Sequence, residues 1–192
     1  EDPEEYIVRR RQEMARPAGF ATHEALKEAI TSCSRCPLRR EGGLGPVLST
    51  GPADAPLMIV GEGPGGVEDD YGGPLIGPSG QLLDKALASV GITRDHVYVT
   101  NIVKCRPRGN RTPTMDEGHF CGSIWLLQEI ALARPAVIIG LGGGKYHTGD
   151  GCLSRFVIGN IVVGIFYHVF LFLGCESIFF VNLLHIFFGG AT

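Results

Sequence analysis

Short unbroken apolar runs alternate along this chain with longer stretches in which apolar residues recur at helical spacing. Leu57-Met58-Ile59-Val60, Val97-Tyr98-Val99-Thr100 and Ala136-Val137-Ile138-Ile139 are the unbroken runs, and each predicts a strand buried on both faces. Between the first two, Leu82, Leu83, Ala86, Leu87 and Val90 predict a helix, with Ser79 as its expected N-cap and Gly91 as its stop. Between the second and third, a helix is predicted from Thr114 to Ala133, with Pro113 near its start and Pro135 just past its end. A shorter helix is expected from His23 to Ser32. Strand, helix, strand, helix, strand at this spacing predicts an α/β fold: a single three-layer α/β/α domain around a central parallel sheet of about four strands. Ligand sites in such sheets lie beyond the carboxyl ends of the strands. Glu62, Asn101 and the run Gly140 to Gly144 fall there.

The two ends differ from this middle. Residues 1–21 are polar, carry Arg9-Arg10-Arg11 and read as a solvated extension, leaving 22–192 for the domain. After Arg155 the only acidic or basic side chain, histidines aside, is Glu176. That stretch is expected to supply the last strand and a core-facing helix. Asn160, His168, Asn182 and His185 interrupt it, which argues against a membrane span.

Composition narrows the chemistry. A chain of 192 residues, 44% hydrophobic and 19% charged, is long enough to bury a core without disulfide staples. Its start, Glu1 to Gln12, lacks the apolar core of a signal peptide, so a reducing cytoplasm is the expected compartment. The net charge of −3 gives no global attraction to nucleic acid, so any such binding needs a local basic patch. Lys104, Arg106, Arg108 and Arg111 supply a candidate, on a loop stiffened by prolines and able to grip phosphates without reading sequence.

Cysteines and glycines carry the sharper signals. Cys33-x2-Cys36 is one close pair, and Cys105 and Cys121 stand apart from it and from each other. Four thiolates can hold a tetrahedral zinc or a four-iron cluster; one close pair plus two isolated cysteines suits the larger group better, though spacing does not decide it. Cys152 and Cys175 follow no ligand spacing and read as structural. Gly61, Gly63 and Gly66 match G-x-G-x-x-G after a strand, but the second strand ends in Thr100-Asn101 rather than in the acidic residue a dinucleotide's ribose requires. The loop is instead expected to turn backbone N–H groups, and the terminus of a following helix, toward developing negative charge. Asn101 could present a donor and an acceptor to a base edge, and Glu62 could orient a water.

Taken together, Gly61-Glu62-Gly63-Pro64-Gly65 with Glu68-Asp69, Gly73-Pro74, Gly77-Pro78-Ser79-Gly80-Gln81-Leu82-Leu83-Asp84, and Val99-Thr100-Asn101-Ile102-Val103-Lys104-Cys105-Arg106-Pro107 with Asn110-Arg111 resemble the family 4 (iron–sulfur) uracil-DNA glycosylases. The resemblance runs from about Ser32 to Gly142. It implies hydrolysis of the N-glycosidic bond of deoxyuridine in single- or double-stranded DNA, initiating base excision repair, by a monomer with no membrane association. It further implies a [4Fe-4S] cluster on Cys33, Cys36, Cys105 and Cys121. Glu62, Gly63, Pro64 and Gly65 match the motif that positions the attacking water and borders the uracil, beside Gly61. Asn101 matches the residue that hydrogen-bonds the uracil edge, and His168 fits the histidine that stabilises the departing base. Two departures stand out: Leu75 occupies the place of a stacking phenylalanine, and Val169-Phe170 replace a proline and a small residue. A chain that kept the cluster but lost the pocket would be a nucleic-acid-binding module, and these departures are the features that point there.

Overall fold

The computed structural model describes Asp2, Glu5 and residues 19–141 in full, and extended backbone alone at Val162–Phe166, His168–Leu173 and Ser177–Phe179. The three predicted strands form where the apolar runs place them, as β1 (Leu57–Gly61), β2 (Val97–Asn101) and β3 (Val137–Leu141). They run parallel in the order β2-β1-β3, with Leu57 opposite both Val97 and Val137. The expected fourth strand falls beyond Leu141, outside the fully described residues.

Period-two alternation divides the strand residues between two cores. Met58, Val60, Tyr98 and Ile138 pack against Leu126, Ile130 and Ala133 on one face. Leu57, Ile59, Val97, Val99 and Ile139 pack against Leu83 and Leu87 on the other. Each such aliphatic side chain, fully buried, contributes roughly 1.5–3 kcal/mol, so both helical layers are tied firmly to the sheet. The α/β/α layering expected from the pattern is thus observed.

The helices explain themselves locally. α1 (His23–Thr31) starts where Thr22 Oγ1 accepts from the Ala25 N–H at 3.1 Å. After β1 come α2 (Gly66–Tyr71) and α3 (Pro78–Ser89). Ser79 does not cap α3, as the sequence suggested: Gly77 is the N-cap and Pro78 takes the first helical position, where its fixed φ suits the turn and its missing N–H costs nothing. Gly91 ends the helix with φ of 73°, as expected of a left-handed stop. The helix predicted from Thr114 to Ala133 is present as α4 (Met115–Cys121), a π-helical turn (Gly122–Leu126) and α5 (Leu127–Ala133). Thr114 caps it, accepting from the Glu117 N–H at 3.2 Å.

A third, smaller core lies to one side. Leu26 and Ile30 of α1, Leu38, Val103, Cys105, Cys121 and Trp125 form it, with Cys33 and Cys36 packed against it. No helix among the described residues is long and apolar enough to cross a membrane.

Candidate active site

The ends of β1 and β2 bring the site together. Gly61 and Asn101 are partners in register, and parallel pairing continues past them, with the Ile102 N–H donating to Gly61 O at 2.8 Å and the Val103 N–H to Glu62 O at 3.1 Å. Glycine is required here by close approach: a Cβ on Gly61 would stand 2.3 Å from Asn101 Oδ1 and 3.3 Å from Leu75 Cδ2, and one on Gly63 would stand 2.6 Å from Val103 Cγ2. Gly61, Asn101 and Leu75 therefore share one small space. Glu62, half-buried with its Oε1 enclosed, enters the loop beside them.

Asn101 is the exceptional residue of the site. It is 1% exposed, and among the described residues neither its Nδ2 nor its Oδ1 has a hydrogen-bond partner. Burying an amide without partners costs about 1–3 kcal/mol per unmet group, and native structures seldom accept that without a reason. A ligand that offers both an acceptor and a donor removes the penalty.

Two charged side chains hold the walls. The Glu68 carboxylate accepts from the Gly65 N–H at 3.1 Å with one oxygen, and from the Ile76 and Gly77 N–H groups at 3.1 and 2.8 Å with the other. It ties the loop after β1 to the loop that carries Leu75. Leu75 is held at φ of 52°, a left-handed conformation leucine rarely adopts. Its carbonyl accepts from the Arg94 guanidinium, which is anchored in turn on Asp84 at 2.5 Å. The same carbonyl would lie 1.7 Å from a Cβ on Gly80, so glycine is obligatory there as well. The helix expected after the loop is present as α2, but carboxylates crowd its start. α2 is six residues long, and its first turn holds the buried carboxylates Glu68 and Asp69, which oppose negative charge.

The basic loop also differs from its sequence reading. Lys104 does not reach outward: it is 2% exposed, and its ammonium pairs with Glu129 Oε2 at 2.6 Å. Desolvated and saturated in this way, it is no phosphate contact. Arg111 donates to Glu117 at 2.7 and 2.8 Å and to Glu41 at 2.6 Å, so its charge is spent holding the loop closed. The Arg111 guanidinium draws the Glu117 carboxyl down to about 2. Arg106 donates to Asn110 Oδ1 at 2.7 Å and stands 3.7 Å from Asp69, with part of its side chain exposed. Arg108 is exposed. Lys104 thus loses the outward role, whereas Arg106, Arg108 and Arg111, the last with its side chain 37% exposed, reach the surface.

All four predicted cysteine ligands border the third core, Cys105 and Cys121 buried, Cys33 and Cys36 half-buried, and none of the four is in a disulfide. Burial pushes the Cys105 thiol up to about 12, with Cys121, Cys36 and Cys33 adding to the effect and Arg39 opposing it. Burial likewise lifts Cys121 to about 11, against the Lys104 ammonium and a hydrogen bond from the Lys104 backbone N–H. Cys105 thus feels the other three thiols, and Cys121 feels Cys36 and Cys33. Among the described residues no three His, Cys, Asp or Glu side chains are grouped closely enough to hold a single metal ion. A four-iron centre, in which each thiolate binds a different iron, asks for wider spacing. Thiols without intervening carboxylates are the donor set such a centre takes.

Sequence reasoning quoted Glu68 only within the resemblance and gave it no role, and it missed Arg94 and Glu129. Glu129 was the most legible of them, since it falls four residues after Trp125 on the apolar face of its helix, where a charge must find a buried partner. Arg9 to Arg11, Gly142 to Gly144, Cys152, Cys175 and the side chain of His168 lie outside the described residues.

The chain is 43% identical over 119 residues to the Type-4 uracil-DNA glycosylase of Pyrobaculum aerophilum, covering 62% of this chain and 60% of that protein. It is 43% identical to the Type-4 uracil-DNA glycosylase of Thermotoga maritima, covering 62% and 61%. A Type-5 uracil-DNA glycosylase of Pyrobaculum aerophilum is 33% identical over 147 residues, covering 59% and 62%. The chain spans about three fifths of the length of these relatives. The profile of the Uracil DNA glycosylase superfamily matches residues 48–173, which include all three parallel strands and the Gly61, Leu75 and Asn101 site. The chain belongs to the uracil DNA glycosylase superfamily.

Proposed function

We propose that this chain removes uracil from DNA by hydrolysing the N-glycosidic bond of deoxyuridine, the opening step of base excision repair. The observation that carries the reading is the buried Asn101 amide, which has no partner among the described residues and faces the Gly61 and Leu75 walls. Its acceptor and donor complement the N–H and carbonyl on a uracil edge, and a base reaches such a site only when flipped out of the stack. Leu75 covers the base by dispersion, and Glu62 orients a water toward the sugar carbon as electron density leaves with the base. His168 is assigned the stabilisation of the departing uracil on the resemblance alone. Arg106 and Arg108 grip phosphates.

Cys33, Cys36, Cys105 and Cys121 would hold the [4Fe-4S] cluster. Held by these residues, it would brace α1, the basic loop and the α4 end against one another and so fix the DNA-facing surface.

Uracil-containing single- and double-stranded oligonucleotides, resolved on gels after alkaline cleavage, test the activity. Abasic product is the expected result. Binding without product supports instead a module that keeps the fold and has lost the chemistry, the reading favoured by Leu75. Iron and sulfide analysis of protein purified without oxygen tests the cluster, and a colourless, iron-free preparation overturns it.

A further inference from the structure

The Lys104–Glu129 pair lies at 2.6 Å with its side chains 2% and 1% exposed. Burying two charges carries a heavy desolvation penalty, and apolar residues of equal volume are often as stable, so stability is a weak reason for a pair in this place. Its connections give a stronger one. The ammonium has three N–H donors, and three acceptors meet it: Glu129 Oε2 at 2.6 Å, Thr100 Oγ1 at 2.7 Å and the backbone carbonyl of Asn101 at 2.7 Å. Thr100 Oγ1 donates to Glu129, 3.1 and 3.0 Å from its two oxygens, which closes the network.

Thr100 and Asn101 are successive residues at the end of β2, so their side chains leave on opposite faces of the sheet. Thr100 enters the layer that holds Glu129; Asn101 enters the space beside Gly61 and Leu75. The network grips the peptide from behind while the amide works in front. We infer that Lys104 and Glu129 are positioning residues, which fix the Asn101 carbonyl and thereby the direction in which the Asn101 amide meets the base. This rests on the reading of Asn101 as the base-reading group.

A lysine on phosphate and a lysine behind the strand give opposite results on substitution. The double variant Lys104→Met with Glu129→Leu removes both charges and leaves neither buried alone. Its affinity for uracil-containing oligonucleotides, read across a salt series, stays at the wild-type value with the same slope, while single-turnover excision falls by about 10- to 100-fold, as displacement of a reacting group by an ångström does. Its crystal structure shows the Asn101 amide displaced or in two orientations, with the Tyr98–Ser49 hydrogen bond intact. A salt slope reduced by about one overturns the inference in favour of a phosphate contact. So does wild-type excision, or an Asn101 amide in its original place. Should the wild-type chain itself release no uracil, the glycosylase reading fails, and the Asn101 position in the variant's crystal structure still decides the positioning role. If the double variant does not fold, Glu129→Gln is read by the same three measurements.

Discussion

Two polar clusters sit within one residue of each other at the end of β2, equally buried and opposite in character. Behind the strand, Lys104, Glu129 and Thr100 leave no charge or donor unanswered. In front of it, the Asn101 amide answers to nothing among the described residues. Burial is the same on both sides, at 1% for Asn101, 2% for Lys104 and 0% for Glu129, so burial alone does not separate structure from function. Satisfaction does. A saturated buried network holds the fold in one arrangement, whereas an unsatisfied buried amide is held ready for a group that arrives from outside.

Substitutions on the two sides sharpen this contrast. The largest effect is expected from Asn101→Ala, with excision lower by about 100-fold or more and DNA affinity little changed. Because it removes a polar group already lacking partners, its urea midpoint stays the same or rises. An equal loss of affinity and rate breaks the assignment of this amide to the base. Lys104→Met alone strands the Glu129 carboxylate and is expected to lower unfolding free energy by about 3–5 kcal/mol; a midpoint like that of Asn101→Ala erases the distinction between the two clusters.

Smaller effects follow away from the strand end. Leu75→Phe restores an aromatic wall and is expected to raise single-turnover excision by up to tenfold, since stacking on a base contributes about 1–3 kcal/mol. Unchanged or slower turnover shows a pocket built around leucine's left-handed backbone. The smallest effect concerns pH. Glu117 has its carboxyl lowered from the ordinary 4.5 to about 2, first by the Arg111 hydrogen bonds. Its contribution to stability is therefore fully present above pH 4.5 and is lost as pH falls through about 2. Between those values wild type loses stability faster than Glu117→Gln in urea titrations, and parallel curves would discount the loop-closing role of Arg111.

Much of this was readable from the chain. Unbroken apolar runs gave β1, β2 and β3 because strands covered on both faces exclude polar residues. Asn101 stood out as a polar residue ending such a run, and the cysteines by their type. What pattern does not encode is the direction of a long side chain in a loop. Lys104, between Val103 and Cys105, reads as one charge of a basic patch; only its buried acceptor on a distant helix turns it inward. The roles of Glu68 and Arg94 escaped notice for the same reason, since the backbone groups they hold belong to other loops, which no spacing announces. The helical cap at Ser79 failed because Pro78 competes for the same end with a stronger local preference.

The π-helical turn after Cys121 governs timing along its helix. Cys121 and Glu129, eight residues apart, both meet Lys104, one at its backbone N–H and the other at its ammonium. In an uninterrupted α-helix they would point about 80° apart around the axis; a turn that absorbs roughly one extra residue brings them to within about 20°. Shortening that turn by one residue throws the sulfur and the carboxylate out of phase, so that the cysteine region and the support beneath the pocket cannot be retuned independently of each other.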